Sequence, residues 1–341
     1  MPFAEIIGQD RAVEALRAAL RRGALHHAYL FAGPEGVGKG TVARLLAQAA
    51  NCERADSDAC GACPSCRKIA RGVHPDVLVI ERERDMARAG RWEPKGGRTP
   101  SRDIVVDQVR ELVDRRLSLR RFEGRRRFVL LDPADAMNPQ SQNAILKTLE
   151  EPPPDTTLVL VSSSADGLLP TVRSRCLRLP FAPLPVEVLE TRLAAAGRAP
   201  ELARLAATLA AGSMGKALAL DADAIGERRA AVEEAAALSS DDARAWIAFA
   251  KRRGEKREQA RELCELLLVW LRDVLVRAAG AGAAPLALAD LEEATDAAAR
   301  LGPEAALRRI ESVRRALTAL RHNASAPLAL EHMLIGWFHR G

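Results

Sequence analysis

Gly33-Pro34-Glu35-Gly36-Val37-Gly38-Lys39-Gly40-Thr41 stands between the apolar run 28–32 and an amphipathic pattern that begins at Val42. Strand, glycine-rich loop and helix follow in that order, with four residues between Gly33 and Gly38 and a lysine immediately after. That is the spacing of a phosphate-binding loop. Glycines let successive backbone N–H groups curl around a phosphate, the helix N-terminus adds partial positive charge, and Lys39 reaches the terminal phosphates. The nucleotide-binding set is therefore Gly33, Gly36, Gly38, Lys39, Gly40 and Thr41. Asp132 completes it at the end of a second apolar run, where such sites place the acid that holds the magnesium shell.

Two positions in this set lack the chemistry they should carry. Gly40 stands where a Ser or Thr hydroxyl ligates Mg²⁺, and Thr41 lies about 100° further round the helix. Pro133 follows Asp132 where a hydrolysing enzyme has a Glu that polarises the attacking water, and proline offers neither carboxylate nor N–H. The expectation is a degenerate cradle, kept as structure or binding ATP or ADP without turning it over. The residues leave nucleotide retention open.

Four of the six cysteines, Cys52, Cys60, Cys63 and Cys66, have the spacing C-x7-C-x2-C-x2-C, with Gly61 and Pro64 available for tight turns. In a reducing compartment that clustering points to a metal and not to disulfides. Structural zinc is the expected ion, since four thiolates leave no open position for catalysis; an iron–sulfur cluster and unligated thiols are the alternatives. Cys176 and Cys264 are isolated and read as buried.

These residues need elements to position them. The apolar runs at 28–32, 77–80, 128–131 and 157–161 alternate with helical patterns at 10–23, 42–50, 66–71, 104–119 and 141–149, which implies a parallel sheet covered on both faces. Asp10 is placed to cap the first helix. His26 and His27, ahead of the first strand, read as packing or surface imidazoles. Residues 81–102 are charged and glycine-rich without apolar periodicity and read as a mobile loop. Arg120, Arg121, Arg125, Arg126 and Arg127 form the densest basic run, either a solvated connection or a contact for an acidic partner. Leu177 to Pro180 reads as a short extended exit. From Pro183 the chain is rich in Ala and Leu with no strand signal, and Leu307, Ile310, Val313, Leu317 and Leu320 make an apolar helical stripe.

Composition narrows the classes. With 341 residues and 48% hydrophobic content the chain can build two or three cored domains and is not disordered. A net charge of +6 favours acidic partners, while 4% aromatic residues argue against a base-stacking surface. The N-terminal residues lack the regions of a signal peptide, and no run of about 18 apolar residues occurs, so a cytoplasmic protein without a membrane partner is expected.

With these residues in place the chain resembles the delta prime family of bacterial DNA polymerase III clamp-loader subunits, in the AAA+ superfamily. The resemblance rests on Ile7-Gly8-Gln9, 27–31, the four cysteines, Met137-Asn138, 143–153 ending in Leu149-Glu150-Glu151-Pro152-Pro153, and 169–176 ending in Ser174-Arg175-Cys176. It is strong over residues 1 to about 220; the C-terminal part matches through its position and Asn323 to Glu331. The resemblance implies an α/β AAA+ P-loop domain over 1–180 with a parallel sheet and a zinc module at about 50–70. A small helical lid domain over 181–222 and an all-α collar domain over 223–341 follow.

It further implies a hetero-pentamer with delta and tau or gamma subunits that loads a sliding clamp onto primed DNA. In this family the Ser-Arg-Cys arginine reaches the neighbour's ATP site, so Arg175 is the expected arginine finger, acting in trans, with Arg173 the weaker candidate. A nucleotide-sensing arginine expected in 212–217 falls on Gly215, beside Lys216. The reading is a subunit without intrinsic ATPase. An active ATPase of the tau or gamma type is the alternative, opposed by Gly40 and Pro133. A zinc-finger DNA-binding protein is a second, poorly fitted because no basic recognition helix accompanies the cysteines.

Overall fold

Five short apolar strands, β1 (Ala28–Ala32), β2 (Val77–Ile80), β3 (Arg127–Leu131), β4 (Thr156–Ser162) and β5 (Leu177–Pro180), pair in parallel in the order β2-β3-β4-β1-β5. Every residue of β1, β3 and β4 is buried, as parallel strands covered on both faces must be. Alternate side chains divide them between two cores. Tyr29, Phe31, Phe128, Leu130, Val159 and Val161 face α1 (Asp10–Arg21), α2 (Lys39–Ala50) and α3 (Pro64–Ala70). Leu30, Val129, Leu131, Leu158 and Leu160 face a helix over 106–117 and one over Pro139–Glu150. The computed structural model describes residues 2–54, 57–280, 286–288, 291–321 and 324–338. Ala55 and Asp56 of the cysteine module, and Asn323 of the C-terminal resemblance, lie outside them.

The chain divides into two compact units, Met1–Val188 with Gly212–Lys216, and Leu189–Ala211 with Ala217–Gly341. The first holds the sheet. The second is helical, with its core built on Trp246, Phe249, Leu267, Trp270, Leu271, Val313, Leu317, Leu330 and Leu334. Among the described residues no helix is long and apolar enough to cross a membrane.

Several local expectations change. Leu177 to Pro180 is a full sheet member, since Tyr29 pairs with Leu177 and Leu30 with Arg178. Asp10 is the first residue of α1; Gln9 occupies the cap position without a side-chain cap bond. The Gln9 side chain instead bonds the Ala182 carbonyl at 2.8 Å and the Ala182 N–H at 3.1 Å. In the apolar stripe of the C-terminal unit, Val313, Leu317 and Leu320 are buried and Ile310 packs against the same core, whereas Leu307 is 53% exposed and Ala306 and Arg309 are buried beside it.

The largest correction concerns 81–102, which is folded. It contains α4 (Glu83–Arg88) and is organised by the Glu83 carboxylate, fully buried, which accepts from both Nη groups of Arg98 at 2.7 and 2.6 Å. The same carboxylate accepts from Trp92 Nε1 at 3.1 Å and Ser101 N at 2.7 Å. Burial alone would push the Glu83 pKa up, but the Ser101 N–H and Arg98 outweigh it, and the pKa is lowered. Its stabilising contribution is thus complete above the ordinary glutamate pKa of about 4.5 and is lost as pH falls through the lower folded value. Glu83→Gln, which removes the charge that the Ser101 N–H, Trp92 and Arg98 donate to, is expected to cost about 2 kcal/mol in urea unfolding. A loss below about 0.5 kcal/mol would show that Glu83 does not hold the segment.

The basic run likewise serves the fold. Arg127 is buried and donates to the carbonyls of Leu117 at 2.8 Å and Leu119 at 2.7 Å. Arg126 donates to Thr157 Oγ1 at 2.7 Å, and Arg121 pairs with Asp155 at 3.1 Å. Asp76 accepts the backbone N–H groups of Phe122, Glu123 and Gly124. Three of the five arginines are therefore engaged in anchoring the connection to β3.

Candidate functional site: the phosphate loop and the Ser-Arg-Cys turn

The loop forms where β1 ends. Its glycines are required by geometry: Gly36 and Gly38 have φ of 76° and 99°, and a side chain on Gly33 would begin 2.1 Å from the Phe181 carbonyl oxygen. Gly38 caps α2, so Lys39 is the first helical residue. Lys39 is 6% exposed, and its ammonium folds back onto the loop, donating to the Gly33 carbonyl at 2.6 Å and to the Pro34 carbonyl. Burial lowers its pKa, against the pull of Asp132, Asp135 and Glu35.

Gly40 faces Asp132 directly. A Cβ built on Gly40 would lie 2.4 Å from Asp132 Oδ2, so a hydroxyl side chain here needs the carboxylate to move, while Thr41 is exposed. Asp132 follows β3, bonded through its N–H to the Ile80 carbonyl at 3.0 Å, and burial raises its pKa against the nearby charges of Arg44 and Lys39. Pro133 adopts an extended conformation and presents only its ring. Asp135, the next acid along the chain, is committed to Ser163, accepting from its N–H at 3.0 Å and its hydroxyl at 2.8 Å.

The segment Gly212–Lys216 packs on this loop. Gly215 N donates to the Gly36 carbonyl at 3.1 Å, and a Cβ on Gly36 would meet Ser213 Oγ at 2.0 Å. Gly215 itself stands 3.4 Å, from its would-be Cβ, to Gly36 Cα. The position thus faces the phosphate loop and delivers no side chain to it.

The Ser174-Arg175-Cys176 turn lies after the short helix Pro170–Arg173 and before β5. Arg175 Nη2 pairs with Glu150 Oε1 at 2.6 Å, and Nη1 donates to the Thr171 carbonyl at 2.9 Å, with the side chain still 36% exposed. Arg173 pairs with the exposed Asp166 at 2.8 Å. Burial and the neighbouring His26 lower the His27 pKa, against the backbone groups of Arg175 and Leu149 that raise it. Three stretches separate in sequence, around His27, Glu150 and Arg175, thus meet in one place. Nothing in their spacing signals the Glu150 pairing, which comes from the end of one helix meeting a turn 25 residues later.

The four cysteine Sγ atoms lie within 4.8 Å of one another, a spread that suits a tetrahedral ion with bonds of about 2.3 Å to each sulfur. Cys52, Cys63 and Cys66 are buried. Backbone N–H groups point at the sulfurs, from Cys60 to Cys52 at 3.5 Å, from Cys63 to Cys60 at 3.3 Å and from Cys66 to Cys63 at 3.4 Å. Such donors stabilise thiolates, so the donor set fits a metal ion. The module is tied into the sheet unit: Gln48 of α2 donates to the Cys66 carbonyl at 2.8 Å, and Asp58 accepts from Phe3 N at 2.9 Å. Cys176 and Cys264 stand apart, burial pushing each thiol up to about 12.

The family described as "DNA polymerase III, delta subunit" matches residues 8–185. The chain is 40% identical to the DNA polymerase III subunit delta′ of Pseudomonas aeruginosa over 205 residues, 55% of this chain and 58% of that protein. It is 32% identical to subunit delta′ of Bacillus subtilis over 276 residues, 78% of this chain and 77% of that one. It is also 35% identical to subunit tau of Escherichia coli over 230 residues, 65% of this chain but 33% of the relative. The matched stretch is thus little more than half of the Pseudomonas protein and a third of the Escherichia one.

Proposed function

The chain belongs to the DNA polymerase III delta-subunit family, and from that premise we propose that it is a delta prime-type clamp-loader subunit that hydrolyses no ATP itself and acts on a neighbour's nucleotide. The observation that carries this reading is the phosphate loop. Gly40 supplies no hydroxyl, Pro133 supplies no acid, Asp135 is spent on Ser163, and Lys39 donates to the loop's own carbonyls. Binding ATP or ADP here would require Lys39 to leave those carbonyls. Arg175 offers the complementary chemistry: a guanidinium at the surface, oriented by Glu150, that neutralises charge on a transferring phosphoryl group in a neighbouring subunit.

The partners are delta and tau or gamma subunits in a hetero-pentamer, and through the assembly a sliding clamp and primed DNA in the cytoplasm. Cys52, Cys60, Cys63 and Cys66 hold a structural Zn²⁺. The division into a P-loop domain over 1–180, a lid over 181–222 and a collar over 223–341 belongs to the same reading. The identity to tau favours the active-ATPase alternative, and Gly40 with Pro133 weighs against it.

The test is reconstitution with the delta and tau or gamma subunits of the same source. ATP turnover that depends on adding this chain supports the reading; equal turnover with the chain left out contradicts it.

A further inference from the structure

The helical unit contains a buried charge that lies on aromatic rings and has no hydrogen-bond acceptor among the described residues. Arg309, on the helix Pro303–Arg321, is only 8% exposed. Its guanidinium carbon lies 5.0 Å from the centre of the Trp337 ring and 5.6 Å from that of Phe338, both on the helix Ala326–Phe338. Its Nε is sealed from solvent without an acceptor, and among the described residues no carboxylate or carbonyl receives any of its N–H groups. Trp337 Nε1 beside it is also sealed, with no partner among the described residues.

Buried charges in folded proteins are paired, and a sealed donor without an acceptor is destabilising. Two ring faces attract a cation but accept no hydrogen bond from its fork. Burial accordingly lowers the Arg309 pKa, and the charge of Arg308 adds to the effect. The site is nonetheless rigid. Phe338 stacks on Trp246 at 4.6 Å, and a Cβ on Gly336 would lie 2.9 Å from Ser312 Cβ, so the two helices are in close contact beside the arginine. Ile335, one turn before Phe338 on the same helix face, is 47% exposed. A held arginine among aromatic rings with an exposed aliphatic neighbour has the anatomy of an interface anchor.

We propose that Arg309 is the anchor of a subunit interface, completed by an Asp or Glu carboxylate of a neighbouring chain that takes its fork. A carboxylate is the occupant that charge complementarity selects, because Arg308 and Arg309 present adjacent positive charge and a planar fork binds a carboxylate through two parallel hydrogen bonds. The inference rests on the clamp-loader reading for the identity of the neighbour.

The test uses the full chain and its delta and tau or gamma partners, with Arg309→Gln, Arg309→Met to keep the stem packing, and Arg309→Lys to keep the charge without the fork. The thermal midpoint of each chain alone and its dissociation constant for the partners, at low and high salt, are measured. All three are expected to assemble about 10- to 100-fold more weakly with the midpoint unchanged or raised. The wild type is expected to lose more affinity with salt than Gln or Met. A midpoint that falls by several degrees in both Arg309→Gln and Arg309→Met would show that the guanidinium stabilises the chain itself and would overturn the inference. Unchanged assembly of the variants would overturn it while leaving the clamp-loader reading intact. A wild-type chain that does not assemble at all would sink both.

Discussion

Arg175→Ala is expected to lower ATP turnover of the reconstituted assembly by about a thousandfold or more while leaving the chain folded. An arginine supplied in trans neutralises charge as it develops on the transferring phosphoryl group, and its removal is worth about 10³ to 10⁵ in rate. The geometry suits that role. Two donors of Arg175 are held by Glu150 and the Thr171 carbonyl, which limits the rotamers of a side chain that remains 36% exposed. Arg175→Lys should recover little, because an ammonium cannot hold the fork geometry. The change in the chain's own unfolding free energy should stay below about 1 kcal/mol, since the Glu150 pair is exposed. Turnover within a factor of two of wild type would remove Arg175 from the mechanism, whatever its place in the turn.

The second large effect concerns the cysteines. Zinc should be present at one ion per chain, and Cys63→Ser or exhaustive chelation should lower the thermal midpoint of the sheet unit by about 10 °C. The module is not a detached finger: Cys52, Cys63, Cys66 and Ile69 belong to the same core as Phe3, Leu16, Val42 and Leu46. Loosening the thiolates therefore loosens α1 and α2, which carries Lys39 at its start. Metal analysis together with a thermal melt checks both halves. A protein that contains no zinc, or one whose melt does not respond to chelation, would reduce the cluster to four buried thiols.

What the sequence made legible follows from the range of the interactions involved. The phosphate loop, the parallel sheet and the cysteine cluster are written in contiguous residues: a glycine pattern, apolar runs of four or five, thiols two residues apart. Contacts across long separations were not. Residues 81–102 looked like a loop because their organiser is Glu83, an acid that no periodicity marks as buried, paired with an arginine 15 positions on. The arginine run looked like a surface for the same reason, since Arg127 and Arg126 find their acceptors in carbonyls and hydroxyls contributed by other elements.

The C-terminal stripe holds at Ile310, Val313, Leu317 and Leu320 and departs at Leu307. A helix with leucine at 307 and arginine at 309 reads with the leucine inside, and the aromatic rings of Trp337 and Phe338 reverse that choice by giving the guanidinium a face to lie on. At the candidate site, each of His27, Glu150 and Arg175 lay within a recognised stretch, but that these stretches come together depended on the fold. The Gly40 and Pro133 departures were visible in the sequence, whereas the closeness of Gly40 to Asp132 and the occupation of Asp135 by Ser163 were not.

This phosphate loop is expected not to hydrolyse ATP. The most direct measurement is steady-state ATP turnover by the purified chain alone, beside Lys39→Ala prepared identically. Equal rates are expected for the two proteins, both at the background of the preparation. Turnover in the wild type that disappears in Lys39→Ala would show that the site finds another group to activate water, and the active-ATPase reading would replace this one.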